Sequence, residues 1–272
     1  MRELLRSAGR LLRAYPTLFR VGMAEMLAYR AEFLVWVLTI NMPLVMMALW
    51  TAVAADGPVG RFDQRDFVAY YVGMLFVRVV TGSWLVWELT MEIRRGTLAV
   101  RLLRPIHPLW AHSASQMAAI PLRLVVTSPL LVILYVVAGP RLPLHEPGRL
   151  LITLAAMIGA WLLLFLVMAI VGMLAAYVES ALSIFDAWLG AQAILSGYLI
   201  PLELMPAWVR ALARVLPFRY ILGSPVETML GLQDTSAALR DLGVQWLYIA
   251  GLLAGTALMW RAALKRFAAF GG

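Results

Sequence analysis

Cysteine is absent from all 272 residues, and with it go disulfides, thiolate metal sites and thiol nucleophiles. Lysine is nearly absent too. Lys265 is the only one, so no GxxxxGK[ST] motif exists and the chain has no phosphate-cradling loop with which to hydrolyse ATP itself. Charge of either sign is scarce, at 14% of residues where soluble proteins carry about a quarter. No hydrophilic stretch is long enough to form a separate soluble domain. The three histidines, His107, His112 and His145, show neither HExxH nor paired ligand spacing and are expected at solvated or interfacial positions. No serine sits in a GxSxG context, so hydrolase chemistry has no support. Catalytic, metal and cofactor sites are therefore all expected to be missing from this chain.

What is present is apolar length. Hydrophobic residues make up 62% of the sequence, and the mean hydropathy is +0.83. A helix needs about 20 apolar residues to cross a hydrocarbon core of roughly 30 Å. Six runs reach that length, at 33–55, 67–89, 117–138, 150–177, 182–200 and 243–263. The expectation is an all-α membrane protein of six transmembrane helices, forming one domain over 1–272. The N-terminus has a basic flank but neither an uninterrupted apolar core nor a cleavage site, so it is expected to be retained.

The net charge of +8 is read as topology first. Arg2, Arg6, Arg10, Arg13, Arg20 and Arg30 precede the first run, Arg94, Arg95, Arg101 and Arg104 lie between the second and third, and Arg261, Lys265 and Arg266 follow the last. The other side holds Arg61, Arg65, Arg141, Arg149, Arg210, Arg214, Arg219 and Arg240. The bias places both termini in the cytoplasm, and nucleic acid is not an expected partner.

Arg2, Arg6, Arg10 and Arg13 are spaced four, four and three apart and share a helical face opposite Leu4, Leu5, Leu11 and Leu12. Such a helix lies along a lipid surface, so 1–30 is expected to be interfacial, with a bend at Tyr15 and Pro16. Between the fifth and sixth runs, 201–230 is broken by Pro201, Pro206, Pro217 and Pro225 into pieces too short to cross, and reads as external re-entrant helices. Within it, Trp208, Ala211, Leu212 and Val215 share one face, and Arg210 and Arg214 the other. Ionisable groups inside spans call for a functional hypothesis. Arg78 and Asp186 fit either an ion pair within the bundle or the wall of a path, while Glu88 and Arg123 lie near enough to a border to snorkel. Asn41 and Gln192 fit a path wall or cross-helix bonds.

The stretch EIRRGTLAVRLLRPIHPLW, Glu92 to Trp110, sets basic and apolar residues around all sides of one helix, as suits contact with lipid and protein together. Its Ile93, Val100 and Leu103 share a face, Gly96 permits close backbone approach, and Pro105 and Pro108 end the element. This stretch, with GYLIPLELMPAWVRALARVLPFRYILGSPVETMLG, resembles the ABC-2 type permeases, the membrane subunits of ATP-binding cassette exporters. The spacing of Ile93, Gly96, Leu98, Leu102 and Pro105 is similar to the branch with free-standing permease chains. The resemblance implies a cytoplasmic coupling helix over Glu92 to Arg104, within the loop 92–110. Glu92, Arg94, Arg95, Gly96, Leu98, Arg101, Leu102 and Arg104 would meet a separate ATPase subunit, present in two copies. ATP and magnesium would be bound by that partner. It also implies a second permease chain, identical or similar, an external gate including Pro201, Pro206, Trp208 and Pro217, and a path wall including Asn41, Arg78, Asp186 and Gln192. The setting implied is a bacterial inner membrane, and the cargo a hydrophobic or amphipathic exported compound. The competing reading, an ion-gradient-driven transporter or channel, would use Asp186 and Glu88 as proton-linked carboxylates, though no inverted repeat is visible.

Overall fold

The computed structural model describes residues 2–28, 42–138 and 147–270, with side chains over 13–28, 42–136 and 147–266. These residues are helical, with no strand among them. In order they form α1 (Arg2–Ala28), α2 (Met42–Val53), α3 (Gln64–Thr81), α4 (Leu85–Arg94), α5 (Leu98–Leu102), α6 (Pro108–Ala138), α7 (Pro147–Met173) and α8 (Ala181–Leu195). Then follow α9 (Ala207–Val215), α10 (Gly223–Met229) and α11 (Thr235–Phe270). Four helical stretches are long and apolar enough to cross a membrane: Gln64–Arg94, Pro108–Val136, Pro147–Ala176 and Thr235–Arg266. Helices α2 and α8 are apolar but shorter, and the first run is described only from Met42, so Asn41 lies outside the described residues.

Helix α7 is the centre of the bundle. Its residues from Ala156 to Met173 are almost continuously buried, as expected of a helix apolar on every side. Helices α3, α4, α10 and α11 pack around it. In lipid such packing gains little from the hydrophobic effect and rests on close van der Waals fit. Gly73 of α3 illustrates this, since a Cβ there would meet Met229 Cε at 2.7 Å. Outward-facing Val125, Val132, Ile133 and Val136 of α6, and Leu247, Leu253 and Leu258 of α11, remain exposed. An aqueous surface would not tolerate so continuous an apolar exterior.

Helix α3 starts on a reciprocal cap: the Asp66 N–H donates to Asp63 Oδ1 at 2.8 Å, and the Asp63 N–H to Asp66 Oδ2 at 3.0 Å. Such a box contributes about 1 kcal/mol. The run expected as one continuous span over 67–89 is interrupted at Gly82–Trp84, where Gly82 leaves the helical region with ψ 137°. Arg123 fills this joint. It is 3% exposed and donates from Nη1 to the Gly82 carbonyl at 2.5 Å, rather than snorkelling to a border. The freed carbonyl needs a donor in an apolar setting, and the guanidinium supplies it.

Helix α1 continues through Pro16 to Ala28. Contacts on both sides of the proline hold it against α6: Tyr15 donates to Met117 Sδ at 3.1 Å, and Gly22 lies so close that a Cβ would meet Ser115 Cα at 2.9 Å. Arg2, Arg6 and Arg10 fall on this helix, their side chains outside the described residues, and Arg13 is exposed. In the proline-broken region three of the four prolines stand at the starts of short elements, while Pro225 lies within α10. Pro201 and Pro206 immediately precede the short helices Leu202–Leu204 and α9, and Pro217 opens the turn Pro217–Tyr220, positions where a missing N–H costs nothing. Helix α10 is buried against α3 and α7.

Candidate functional site

The segment from Glu92 to Arg104 forms an elbow rather than one helix. Helix α4 ends at Arg94, Gly96 takes a left-handed φ of 73°, and the five-residue α5 follows. Nothing in the chain lies within 4 Å of a Cβ built on Gly96, and its left-handed backbone makes the turn. The turn also divides the apolar face expected for one helix. Ile93 and Leu98 are buried, whereas Val100 and Leu103 point outward at 59% and 86% exposure. Leu102 is exposed as well, and Arg94, Arg95 and Arg104 are exposed around the tip.

The base of the elbow is fixed by a polar network. Arg101 Nε lies 2.6 Å from Glu92 Oε1. The other Glu92 oxygen is 3.1 Å from His112 Nε2, and His112 Nδ1 is 3.1 Å from Glu88 Oε2. Gln116 donates from Nε2 to Glu88 Oε1 at 2.9 Å and accepts the Trp84 N–H at 3.0 Å. Carboxylates only accept, so His112 donates to both as the imidazolium. Arg94 adds a bond to the Glu179 carbonyl, beyond the end of α7. The elbow is thereby tied to α6 and α7.

His112 is 1% exposed, which overturns its expected solvated position. Two carboxylates face its ring, and that pairing offsets the cost of burial. Glu88 is likewise engaged rather than simply solvated. The signal was present in the spacing: Glu88 and Glu92 are four apart on one helix, His112 and Gln116 four apart on the next, so two complementary faces meet. Among the described residues no three His, Asp or Glu side chains group to hold a metal. His107 stacks on Trp260 at 4.5 Å between ring centres, and burial lowers its pKa.

Of the residues expected on a path wall, Arg78, Asp186 and Gln192 are not joined in one polar cluster. No ion pair joins Arg78 to Asp186, which is exposed on α8. Arg78 instead lies near the Tyr198 hydroxyl. Gln192 is 3% exposed, and neither side-chain amide atom has a partner among the described residues.

At the opposite end of the bundle, Arg219 is held between two carboxylates, with Nη2 2.6 Å from Glu227 Oε2 and 2.9 Å from Asp241 Oδ2. Burial disfavours the Arg219 charge, but Glu227 and Asp241 outweigh it and hold the guanidinium pKa above its ordinary value. The Glu227 carboxyl is raised, chiefly by burial and further by Asp241, because two carboxylates share one cation. Nearby, Tyr70 and Tyr71 of α3 donate to the Gly197 and Leu199 carbonyls at 2.8 and 2.7 Å. The sequence offered no spacing rule for this cluster, because its members come from three separate elements. Of the residues expected at the external gate, Pro201 is buried beside it and Trp208 is 71% exposed on α9.

Comparison with curated proteins finds no match. A model of the ABC-2 type transporter family matches residues 18–230, spanning α2 to α10 with both the elbow and the proline-broken region. That match covers well over half of the sequence, and it agrees with a multi-pass helical bundle. The chain belongs to the ABC-2 type transporter family, as a transmembrane permease component of an ABC transporter.

Proposed function

We propose that this permease is the membrane subunit of an exporter for a hydrophobic or amphipathic compound, and that the tip of the elbow is where a separate ATPase subunit docks. Members of the family typically pair with such a subunit. The observation that carries the reading is the tip itself. Val100 and Leu103 stand exposed with Arg94, Arg95 and Arg104 around them, on a base anchored through Arg101, Glu92 and His112. An apolar knob within a cationic rim suits a groove on an acidic protein surface, and the anchored base allows a push at the tip to move the helices behind it.

In this reading the chain has six spans, α2 and α8 completing the four long ones, with both termini in the cytoplasm of a bacterial inner membrane. Two permease chains, identical or similar, enclose the path, and two ATPase copies supply ATP and magnesium. Residues 1–30 form the interfacial connecting helix, 92–110 the coupling loop and 201–230 the external helices, all within one domain over 1–272. Glu92, Gly96, Leu98 and Leu102 shape the elbow, while Asn41, Arg78, Asp186 and Gln192 border the path and Pro201, Pro206, Trp208 and Pro217 its outer gate. Alternating access then follows from ATP-driven closure of the partner.

The test is affinity purification of the tagged chain from its own membranes in mild detergent, with mass spectrometry and ATPase assay of the eluate. An ATPase subunit should accompany the wild type and be lost from Val100→Asp with Leu103→Asp, since both side chains are solvent-facing and their change leaves the fold intact. Undiminished recovery of the ATPase with that variant refutes docking at the tip. Purification of the chain alone, with transport on a proton gradient and no ATP, refutes the whole reading.

A further inference from the structure

At the end of the bundle away from the elbow, a cavity of about 550 Å³ lies between α9, α11 and the segments around residues 61 and 201. Five arginines line it, Arg61, Arg210, Arg214, Arg219 and Arg240, against three carboxylates, Glu203, Glu227 and Asp241, a net charge of +2. The acids are already engaged. Glu203 pairs with Arg61 at 2.6 Å, and Glu227 and Asp241 pair with Arg219. Arg210 reaches only the Glu203 backbone carbonyl, at 3.4 Å, and Arg214 and Arg240 have no ion pair among the described residues. Asp234, beyond the cavity wall, feels Arg240, but its carboxyl is bound first by Ser236 and the Ala237 N–H. Arg210, Arg214 and Arg240 therefore line one concave site without an ion pair of their own among the described residues.

Like charges gathered in a cleft repel one another and concentrate positive potential, which an anion relieves. Guanidinium presents paired N–H donors that match the oxygens of a phosphate. The volume falls within the range of ligand pockets and well above the space of a lone ion. Phe62, Tyr70, Leu202, Tyr220 and Leu232 supply an apolar and aromatic floor for the remainder of a larger ligand. Helix α9 joins two environments, for its Arg210 and Arg214 line the cavity while Trp208, Leu212 and Val215 on the same helix are exposed. We propose that this cavity binds a phosphate ester of headgroup size through Arg210, Arg214 and Arg240. Both a phospholipid headgroup and a soluble phosphate ester have this chemistry.

The full-length chain, purified in neutral detergent, is titrated with glycerol 1-phosphate against chloride at equal ionic strength, following tryptophan fluorescence. In parallel it is reconstituted in nanodiscs of equal phosphatidylglycerol and phosphatidylcholine, and lipids retained on release are identified by native mass spectrometry. Saturable binding of glycerol 1-phosphate assigns a soluble ester, and selective retention of phosphatidylglycerol without it assigns a lipid headgroup. In either arm Arg214→Gln with Arg240→Gln should weaken binding by more than about tenfold, whereas Arg20→Gln at the other end leaves it unchanged. If wild type discriminates neither phosphate ligand from its control, or if the folded double variant binds as wild type does, the site is refuted. The wild-type arms decide by themselves should the double variant not fold.

Discussion

Replacing His112 with leucine removes the group that holds Glu88 and Glu92 together, and the structure fixes the size of the effect. Two bonds of 3.1 Å to carboxylates are lost at a side chain that is 1% exposed. Bonds to charged groups contribute about 1.5–3 kcal/mol each when the partner is left unsatisfied. Glu88 is 37% exposed, so water replaces much of its loss, and Glu92 keeps Arg101. The net cost is then about 2 kcal/mol, near 5 °C in melting temperature for a chain of this size. Thermal unfolding of the purified chain in detergent, followed by tryptophan fluorescence, measures it. Glu92→Gln in the wild type and in the His112→Leu background completes a cycle, which should show coupling of about 1 kcal/mol or more. Strict additivity of the two changes refutes the network as a joined unit, whatever each costs alone.

Three further outcomes follow from single contacts. Arg219→Gln leaves Glu227 and Asp241 facing each other without a cation and should destabilise the chain by about 3 kcal/mol in denaturant unfolding, more than any exposed arginine change. Gly96→Ala meets no neighbour but must hold φ of 73°, costing about 1 kcal/mol of local stability. It should lower recovery of the ATPase partner, and Gly96→Asn should restore part of that recovery. The raised Glu227 carboxyl titrates above its ordinary value of 4.5, so its contribution is fully present below that value and lost as pH rises through the folded pKa. Glu227→Gln should therefore flatten the decline of melting temperature with rising pH, a slope that a purely structural loss at this position leaves unchanged.

Spacing alone revealed the features whose cause is local. Apolar length marked the helices, and Pro201, Pro206 and Pro217 marked the starts of short elements. What stayed hidden depended on partners distant in sequence. Arg123 looked able to snorkel because its hydrogen-bond acceptor, the Gly82 carbonyl, lies 41 residues away and becomes available only where α3 breaks. His112 looked interfacial because it was read alone, without pairing its i, i+4 face with that of Glu88 and Glu92, 24 and 20 residues earlier. The cationic cavity was legible only as scattered arginines, since Arg61, Arg214 and Arg240 belong to three loops and helices that meet solely in the folded bundle. At Pro16 helix α1 runs on to Ala28, packed on α6.

The joint at Gly82 connects these two ends. Helix α4 belongs to the elbow through Glu88 and Glu92, while α3 reaches the far cavity through Tyr70, and only residues 82–84 lie between the two helices. If the joint were free, a push on the elbow would be absorbed there as bending. Arg123 resists this by gripping the Gly82 carbonyl, and the fit is close, for a Cβ on Gly82 would meet Arg123 Nη1 at 2.9 Å. Arg123→Met keeps the bulk and removes the donor. Loss of a charged bond and relief of a buried charge nearly cancel in global stability, so the melting temperature should hardly change. Hydrogen exchange at the amides of residues 82–85 should nevertheless quicken by about tenfold, corresponding to the loss of about 1.4 kcal/mol of local protection. In the assembled transporter, ATP hydrolysis should persist while transport per ATP falls. Unchanged exchange at the joint alongside unchanged transport would show that α3 and α4 do not depend on Arg123 to move as one, and the elbow would then have to act through α6 or α7.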